Sequence, residues 1–324
     1  MSEVRINLPG MEELYEQNLR ACFPHWGDEA VSRWFFARTV GGPPADRLVV
    51  VDQGTLLAGA ALTHRRLRLA NGADVPVGII TGAWTLPQAR NQGLFSRLSA
   101  EALALGRKRG LAMILAFVTD ENPSSRALAR LGFAGVFARY HVARPGPHPR
   151  TSALEPVAVP DGEEVRHLAD RAQAFRNGAV HFAYQTVAEW SSQFLERPCP
   201  TYIVRLGRNA GAVVETVRDT DRIQLLLRDG EDGRTVLESL HAWCAARHRS
   251  LFFYTTRPET SRAAADAGFD SVAGCIRIAV ADAAVLARAV GVSGQTGPAD
   301  AGSLVEPGSP WFVGDWDVQA GDRM

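Results

Sequence analysis

The sequence has few cysteines, a single lysine and no net charge. Its four cysteines never form a C-x-x-C pair, so ligand spacing for zinc and a disulfide framework are both absent. The 35 basic and 35 acidic side chains balance, which argues against a broadly basic surface for nucleic acid. Lys108 is the single lysine, so arginine is the default cation here. Arginine counts are therefore poor evidence for phosphate sites. We predict no metal cofactor and no nucleic-acid partner.

Long apolar runs are also absent. No run approaches the ~20 residues of a membrane span, and the N-terminal residues MSEVRINLPG lack the basic and apolar regions of a signal peptide. Scattered free thiols are typical of a reducing compartment. We therefore expect a cytoplasmic protein without a membrane partner. With 324 residues the chain is long enough for two domains, since one core rarely grows past about 250–300 residues. The oligomeric state is not indicated.

The most informative segment joins an apolar run to a helical pattern. Val75–Thr85 predicts a strand and the Ala/Leu-rich stretch Leu94–Arg109 predicts a helix, with Arg90 and Gly93 in the turn between them. The first N–H groups of a helix lack internal partners, and the helix dipole favours an anion there. Gly93 lets the backbone approach a pyrophosphate closely, and Arg90 can add charge-assisted hydrogen bonds. The segment predicts a phosphate-binding turn, although a plain strand–turn–helix junction would have a similar sequence.

A second group of signals follows downstream. Leu111–Thr119 predicts a buried strand, and residues 120–125 (DENPSS) form a break and a helix start with proline near the first turn. Arg126–Leu131 predicts a short helix, closed by Gly132-Phe133. The predicted order is strand, anion-binding turn, helix, strand, Asn-Pro helix and Gly-Phe.

This order resembles the GNAT acyltransferase superfamily, whose members transfer an acyl group from coenzyme A to an amine. The resemblance covers about Leu48–Val142. Residues 85–95 (TLPQARNQGLF) are similar to the family's (Val/Thr)-x-Pro-x-x-(Arg/Gln)-x-x-Gly-x-(Gly/Ala) turn, and NPSS (122–125) followed by LGF (131–133) is similar to its second motif. Two positions depart from the pattern. Phe95 replaces the usual small residue, and Leu128 stands where the family often has a tyrosine general acid.

The resemblance implies an acyl-CoA co-substrate, with acetyl-CoA as the expected donor, and no metal. The implied acceptor is the amine of a small molecule, such as a specialised metabolite or antibiotic. A backbone N–H at the strand end, around Trp84 to Leu86, would stabilise the oxyanion of the tetrahedral intermediate. The expected coenzyme contacts are Trp84, Thr85, Leu86, Arg90, Asn91, Gln92, Gly93, Leu94, Phe95, Ser96, Asn122 and Ser125.

The candidate acid–base residues follow from the chemistry of an amine, which must lose its proton to attack a thioester. Asp120 and Glu121 end the second motif's strand and could act as bases, although capping of the next helix is an alternative role. Tyr140 could supply the missing acid, or could be a core residue. It neighbours His141, and adjacent strand residues point to opposite sides. His64 lies just past the end of the predicted strand Leu56–Thr63 and is more typical of a structural histidine.

A faint internal repeat suggests that a whole domain is duplicated. Residues 117–133 align without gaps on residues 253–269 at an offset of 136. Strand and helix patterns precede the second copy, over residues 201–206, 212–217, 222–227 and 235–247. Its turn, residues 228–234 (RDGEDGR), carries three acids that would repel a pyrophosphate, and Pro258 aligns with the asparagine of the first copy. We expect the second copy to keep the fold and lose coenzyme binding. Two similar junctions arising by chance are the alternative.

The predicted fold class is α/β with a mixed sheet, in two tandem GNAT-like domains that are each a twisted, mostly antiparallel sheet flanked by helices. The predicted boundaries are an N-terminal acyl-CoA domain at 1–146, a linker at 147–162, a degenerate domain at 163–290 and a flexible segment with a C-terminal tail at 291–324. Two other functions remain open, a Fem-like aminoacyl-tRNA-dependent transferase and a non-catalytic acyl-CoA-binding protein. Turnover with an amine would distinguish the last from an enzyme.

Overall fold

The computed structural model describes residues 2–24, 26–146, 156–157, 162–206, 210–228, 230–292 and 301–323. Its strands are β1 (Glu3–Ile6), β2 (Asp46–Asp52), β3 (Thr55–Arg68), β4 (Asp74–Thr85), β5 (Met113–Thr119), β6 (Ala134–Ala143), β7 (Pro156–Val157), β8 (His181–Phe182), β9 (Thr201–Leu206), β10 (Ala210–Val217), β11 (Thr220–Arg228), β12 (Ser250–Thr255) and β13 (Asp270–Val280). Its helices are α1 (Glu12–Cys22), α2 (Glu29–Ala37), α3 (Leu94–Lys108), α4 (Pro123–Arg130), α5 (Gly162–Phe175), α6 (Val187–Phe194), α7 (Gly233–Ala245), α8 (Pro258–Asp266) and α9 (Ala283–Val290).

The chain forms two compact units, and each unit takes residues from both halves of the sequence. The first unit contains Met1–Val136 and Ile276–Gly314, together with Met324, and the second contains Phe137–Cys275 and Asp315–Arg323. The unit boundaries fall inside β6 and inside β13. The predicted linker lies mostly outside the described residues, and the predicted domain boundaries stay a prediction.

The sheet of the first unit has the order β1-β2-β3-β4-β5, followed by residues 276–280 of β13. Neighbours from β1 to β4 are antiparallel, whereas β4 and β5 are parallel. Helices α1 and α2 bury aromatic side chains against this sheet, among them Tyr15, Phe35 and Phe36. The apolar face of α3, with Leu94, Leu98, Ala102 and Leu105, is buried as well.

The sheet of the second unit begins with residues 137–143 of β6 and continues β12-β11-β10-β9-β7. Strand β12 is antiparallel to β6 and parallel to β11. Helix α7 packs its apolar face into a core that includes Phe253 and Phe269. The order β9-β10-β11-α7-β12-α8-β13 repeats the order β2-β3-β4-α3-β5-α4-β6 of the first half. The predicted α/β class with a mixed sheet is confirmed.

The structure corrects the gap-free alignment of the two copies. Pro123 and Pro258 each occupy the first helical position, where the missing N–H and fixed φ of proline suit a helix start. They lie 135 residues apart, whereas Gly132 and Gly268, with φ of 84° and 82°, lie 136 apart. Helix α8 therefore contains one extra residue. The structural counterpart of Asn122 is Arg257, which caps α8, and Pro258 corresponds to Pro123.

One strand differs from its predicted form. Strand β3 runs unbroken from Thr55 to Arg68, although the sequence suggested that a strand ends just before His64. Within the segment 291–324, Ala301–Leu304 form a 3-10 turn with Leu304 fully buried. In the C-terminal part of the same segment, Trp311 and Trp316 are both buried, so this part of the chain is packed.

Within the ranges described above, no helix has the length and hydropathy needed to cross a membrane.

Candidate active site

Strands β4 and β5 diverge at their carboxyl ends. Their parallel register runs from Val77↔Met113 to Ile80↔Ala116, yet β4 continues to Thr85 and β5 to Thr119. The end of β4 keeps β3 as its ladder partner, with a register shift near Gly59. Residues 81–85 and 117–119 therefore border an opening at this end of the sheet, which we call the first wedge.

The backbone N–H and C=O of Thr85, at the end of β4, face the first wedge. The N–H of Leu86 donates to the carbonyl oxygen of Leu57 at 3.0 Å, so these residues form a hydrogen-bonded pair. Antiparallel ladders alternate such pairs with unbonded ones, so the N–H and C=O of Thr85, opposite Ala58, point away from β3. On the side of β4 that faces away from β3, the thiol of Cys22 lies 3.7 Å from the oxygen of Thr85. Of the three residues predicted to supply an oxyanion donor, Thr85 is the one whose N–H faces the wedge.

The side chain of Trp84 is structural. It is buried and meets the Tyr15 ring edge-on at a centroid distance of 5.7 Å. It also lies directly over Gly59, where an added Cβ would come within 2.6 Å of the indole. The indole is therefore packed into the core, and by the same ladder alternation the backbone N–H and C=O of Trp84 point toward Gly59 of β3.

The turn after β4 leads into the start of α3. It contains a 3-10 turn at Pro87–Ala89, then Asn91 and Gly93 with φ of 62° and 70°. Gly93 caps α3 without a side-chain hydrogen bond, and the first turn of α3 carries no acid. A Cβ on Gly93 would meet nothing within 4 Å, so the space outside the helix start is open. The first N–H groups of α3, on residues 94–96, thus have no partner within the helix and no capping side chain.

The other predicted residues of the turn differ in exposure. Arg90, Asn91 and Gln92 are exposed, whereas Leu94 is buried and has only its backbone to offer. Phe95 and Ser96 are half-buried. Phe95 thus stands partly accessible in the first turn of α3, at the position where the family usually has a small residue.

The start of α4 follows the end of β5. The side-chain oxygen of Asn122 caps the helix, since it accepts from the N–H of Ser124 at 3.0 Å and from its hydroxyl at 2.7 Å. Asp120 and Glu121 are exposed in the turn before this cap, so neither acid is the capping residue. Ser125 is buried in the first turn of α4.

Tyr140 belongs to the second unit. It lies on β6 opposite Tyr254, with the two ring centroids 5.0 Å apart. The neighbouring His141 stacks on Phe253, with the two ring centroids 4.7 Å apart. The Nδ1 of His141 lies 3.0 Å from the hydroxyl oxygen of Ser271. Burial, aided by the charge of Arg139, lowers the pKa of His141 to about 4. Tyr140 therefore lies in an aromatic cluster, while the other predicted site residues lie in the first unit.

His64 is buried in a polar network that sequence reasoning missed. Its Nε2 lies 2.9 Å from a carboxylate oxygen of Asp46, and Asp46 also accepts from Asn7 at 2.6 Å and from Arg109 at 2.9 Å. Burial raises the pKa of Asp46, but the hydrogen bonds from His64 and Asn7 and the charge of Arg109 outweigh it and lower the pKa. His64 is therefore buried and paired with a carboxylate.

The second unit has an equivalent wedge, and the chain fills it. The register of β11 with β12 ends at Arg222↔Phe252, although β11 continues to Arg228 and β12 to Thr255. We call the opening between residues 223–228 and 253–255 the second wedge. The side chain of Gln319 accepts from the N–H of Leu226 at 2.6 Å and donates to its oxygen at 3.3 Å. The remaining cavity measures about 10 Å³, room for at most one water.

Further contacts hold the same C-terminal segment, residues 315–323. The hydroxyl of Thr256 donates to the oxygen of Trp316 at 2.8 Å and accepts from the N–H of Val318 at 2.9 Å. The buried carboxylate of Asp317 lies 3.1 Å from the guanidinium of Arg257. This segment therefore occupies the second wedge through its backbone and its side chains alike.

The start of α7 is also occupied. The side chain of Asp232 caps it, accepting from the N–H of Thr235 at 2.9 Å and from its hydroxyl at 2.7 Å. These hydrogen bonds lower the pKa of Asp232. The chain's own carboxylate thus takes the place that is open at α3.

Comparison with known proteins agrees with this geometry. Residues 11–133 match the model of the acetyltransferase (GNAT) family. Comparison with curated proteins finds no match. This part of the chain is a GNAT-type acetyltransferase domain, so the resemblance seen in the motifs is confirmed.

Solved structures extend the likeness to most of the chain. A probable N-acyltransferase from Enterococcus faecalis V583 is 13% identical, with 88% of this chain and 74% of that chain covered and a TM-score of 0.61. A tandem GNAT protein from the clavulanic acid biosynthesis pathway is 16% identical, with 87% and 99% covered and a TM-score of 0.60. A GCN5-related N-acetyltransferase from Kribbella flavida is 16% identical, with 89% and 74% covered and a TM-score of 0.58. The fold is that of tandem GNAT proteins.

Proposed function

We propose that the chain transfers an acyl group, acetyl in the first instance, from coenzyme A to the amine of a small molecule. The observation that carries this proposal is the coincidence of two openings on one stretch of chain. The first wedge and the uncapped start of α3 are separated only by the turn after Thr85. A thioester and a pyrophosphate, joined by a flexible arm, suit two such neighbouring openings.

The start of α3 would hold the pyrophosphate. Its free N–H groups and positive dipole end favour an anion, the first turn carries no acid, and exposed Arg90 can add charge-assisted bonds. The residues assigned to the coenzyme are those expected from the sequence: Trp84, Thr85, Leu86, Arg90, Asn91, Gln92, Gly93, Leu94, Phe95, Ser96, Asn122 and Ser125.

The N–H of Thr85 would stabilise the reacting oxygen. Attack on the thioester turns its carbonyl oxygen negative, and a preformed donor aimed at that oxygen lowers the barrier. Leu86 already donates to Leu57, whereas ladder alternation turns the N–H of Thr85 into the wedge. The amine attacks directly, so no covalent enzyme intermediate is required.

The amine's proton would pass to Asp120, Glu121 or an ordered water. Both carboxylates are exposed directly after the end of β5, next to residues 117–119 of the first wedge. Exposure lets a carboxylate meet a bound acceptor through a water. Tyr140 as the proton donor to the leaving thiolate stays a prediction.

The acceptor class rests on the tandem fold. A structural relative acts in clavulanic acid biosynthesis, which supports a specialised metabolite as the acceptor by analogy. A Fem-like reaction would require a basic channel for tRNA, and the balanced charge of the chain argues against one.

The test is thermal unfolding with acetyl-CoA, longer acyl-CoAs, free coenzyme A and ATP as the control. A ligand at about 100 times its dissociation constant adds about 2.7 kcal/mol of stability. We expect a shift with the coenzyme A compounds and none with ATP. Release of free thiol in the presence of an amine panel then tests turnover. Binding without turnover on any amine would favour a non-catalytic protein, and no shift with any thioester would overturn the proposed donor.

A further inference from the structure

The last strand of the second copy contributes a residue to the first unit. Arg277 lies on β13, in the part of that strand that neighbours β5 and belongs to the first unit. Its Nη2 lies 3.0 Å and its Nε 3.3 Å from the hydroxyl oxygen of Ser125. The family motif ends at residue 133, so this contact comes from outside the segment that carries the family signature.

Contacts at the end of β13 fix the backbone that carries Arg277. The N–H of Ala281 donates to the oxygen of Ala112 at 2.9 Å, and Arg107 on α3 donates to the oxygen of Ala281 at 3.1 Å. Ala112 directly precedes β5, and Ala281 directly follows β13. The end of the strand that carries Arg277 is therefore anchored next to the start of β5, at the end of β5 away from the first wedge.

The contact reaches a functionally placed turn. Ser125 is 1% exposed and lies one turn after Asn122, the cap of α4. A guanidinium presents several N–H donors in a rigid plane, so two of them on one hydroxyl restrict both the serine and the first turn of α4. Arg277 is half-buried and, in the part of the chain that the structure describes, has no carboxylate within ion-pair distance. Its charge is therefore not neutralised by an acid there.

We propose that Arg277 is a positioning residue of the acyl-CoA site, acting through Ser125 on the first turn of α4. This inference rests on the proposed function, because that turn carries Asn122 and Ser125, two of the assigned coenzyme contacts. The coenzyme site is thus completed by a strand from the second half of the chain.

The experiment compares Arg277→Met, Arg277→Lys and Ser125→Ala with the wild type in the full-length protein. We expect Arg277→Met to raise both the Kd and the KM for acetyl-CoA about tenfold, as loss of a hydrogen bond to a charged group implies. Its kcat should stay within about threefold. Arg277→Lys should recover part of the affinity, since one donor and the charge remain.

Two further measurements make the result specific. Ser125→Ala should raise KM as Arg277→Met does, and the double variant should add little to either, because both remove one interaction. Arg288→Met, which removes an exposed charge of the same unit, is the matched control and should leave KM unchanged.

The outcomes separate this inference from the function it rests on. No binding of any acyl-CoA by the wild type overturns the proposed function. A wild type that binds, with an Arg277→Met variant of equal KM and lower melting temperature, overturns the positioning role. If Arg277→Met does not fold, Ser125→Ala decides, and an unchanged KM there overturns the proposal.

Discussion

The two copies of the fold differ most clearly at the start of one helix. Gly93 begins α3 with no side chain and no capping bond, whereas Asp232 begins α7 with a carboxylate that accepts two hydrogen bonds from Thr235. Both helices follow a strand and a short turn. One residue at the cap thus decides whether the start of the helix is left without a side-chain partner or is capped by a carboxylate.

The two wedges differ in the same sense. Diverging strands leave backbone N–H and C=O groups that need partners. In the second wedge Gln319 satisfies both groups of Leu226, as a bound amide would. In the first wedge the thiol of Cys22 lies 3.7 Å from the oxygen of Thr85, but no side chain of the described residues bonds the N–H of Thr85. In the second copy another part of the chain thus satisfies the backbone groups that the diverging strands leave open.

The largest expected effect concerns the two turns. Gly93 and Gly230 have φ of 70° and 74°, and an added Cβ meets nothing within 4 Å at either. Gly93→Glu and Gly230→Glu therefore carry a similar backbone penalty, roughly 1–2 kcal/mol. Because only Gly93 caps an open helix start, Gly93→Glu should weaken coenzyme binding by more than about 100-fold through repulsion of the pyrophosphate.

Isothermal titration with acetyl-CoA measures this difference. Gly230→Glu is the matched control and should bind as the wild type does. Equal affinities for the two variants would contradict the assignment of the coenzyme to the first copy.

The next effect is on the stability of the second unit. Gln319→Ala leaves the buried N–H and C=O of Leu226 without partners, and each unpaired group costs about 1–3 kcal/mol. We expect about 3 kcal/mol of destabilisation in denaturant unfolding, with coenzyme affinity unchanged. Gln185→Ala, an exposed glutamine of the same unit, is the control. A Gln319→Ala protein as stable as this control would show that the C-terminal segment does not support the second wedge.

Two of the buried histidines, His64 and His141, can be compared, and a smaller effect, on acid stability, is expected from His141. His64 faces the carboxylate of Asp46, whereas His141 faces the hydroxyl of Ser271 and has its pKa lowered to about 4. A folded-state pKa below the unfolded value of about 6.5 means that the unfolded chain binds more protons. Stability should therefore fall as pH drops from about 6.5 to 4, by roughly 2 kcal/mol at pH ~4.5.

Urea unfolding at pH values of about 7 and 4.5 measures this loss. The variant His141→Phe keeps the ring stacked on Phe253 but has no titrating group, so it should lose less stability on acidification. An equal loss in variant and wild type would exclude His141 as the source.

The smallest effect is on thiol labelling. Cys22 lies 3.7 Å from the oxygen of Thr85, so an acyl-CoA lying along the free edge of β4 would cover it and slow its alkylation severalfold. In the second unit, burial and the nearby Glu215 carboxylate raise the pKa of the Cys199 thiol to about 12, so this thiol should react slowly with or without ligand. Mass spectrometry of labelled peptides measures both. Unchanged labelling of Cys22 at saturating acetyl-CoA would exclude this binding path.

Sequence reasoning succeeded where the signal was local. The strand that ends at Thr85, the turn with Gly93 and the helix after it were all predicted, because their spacing and residue types act over a few neighbours. It missed the continuation of β3 through His64, since the partner that allows a buried histidine there, Asp46, is 18 residues away. It also misaligned the start of α8, because one inserted residue is invisible in a gap-free alignment.

The sequence by itself determined the local elements and the difference between the two turns. The glycine at the start of α3 sets the conformation of the first turn, and the acids before α7 set the charge of the second, regardless of distant residues. Only the tertiary structure decided that Arg277 meets Ser125, 152 residues earlier, and that residues 315–323 fill the second wedge. Such contacts are chosen by the burial of whole faces and by the pairing of backbone groups left open when strands diverge. Neither requirement is visible in the order of neighbouring residues.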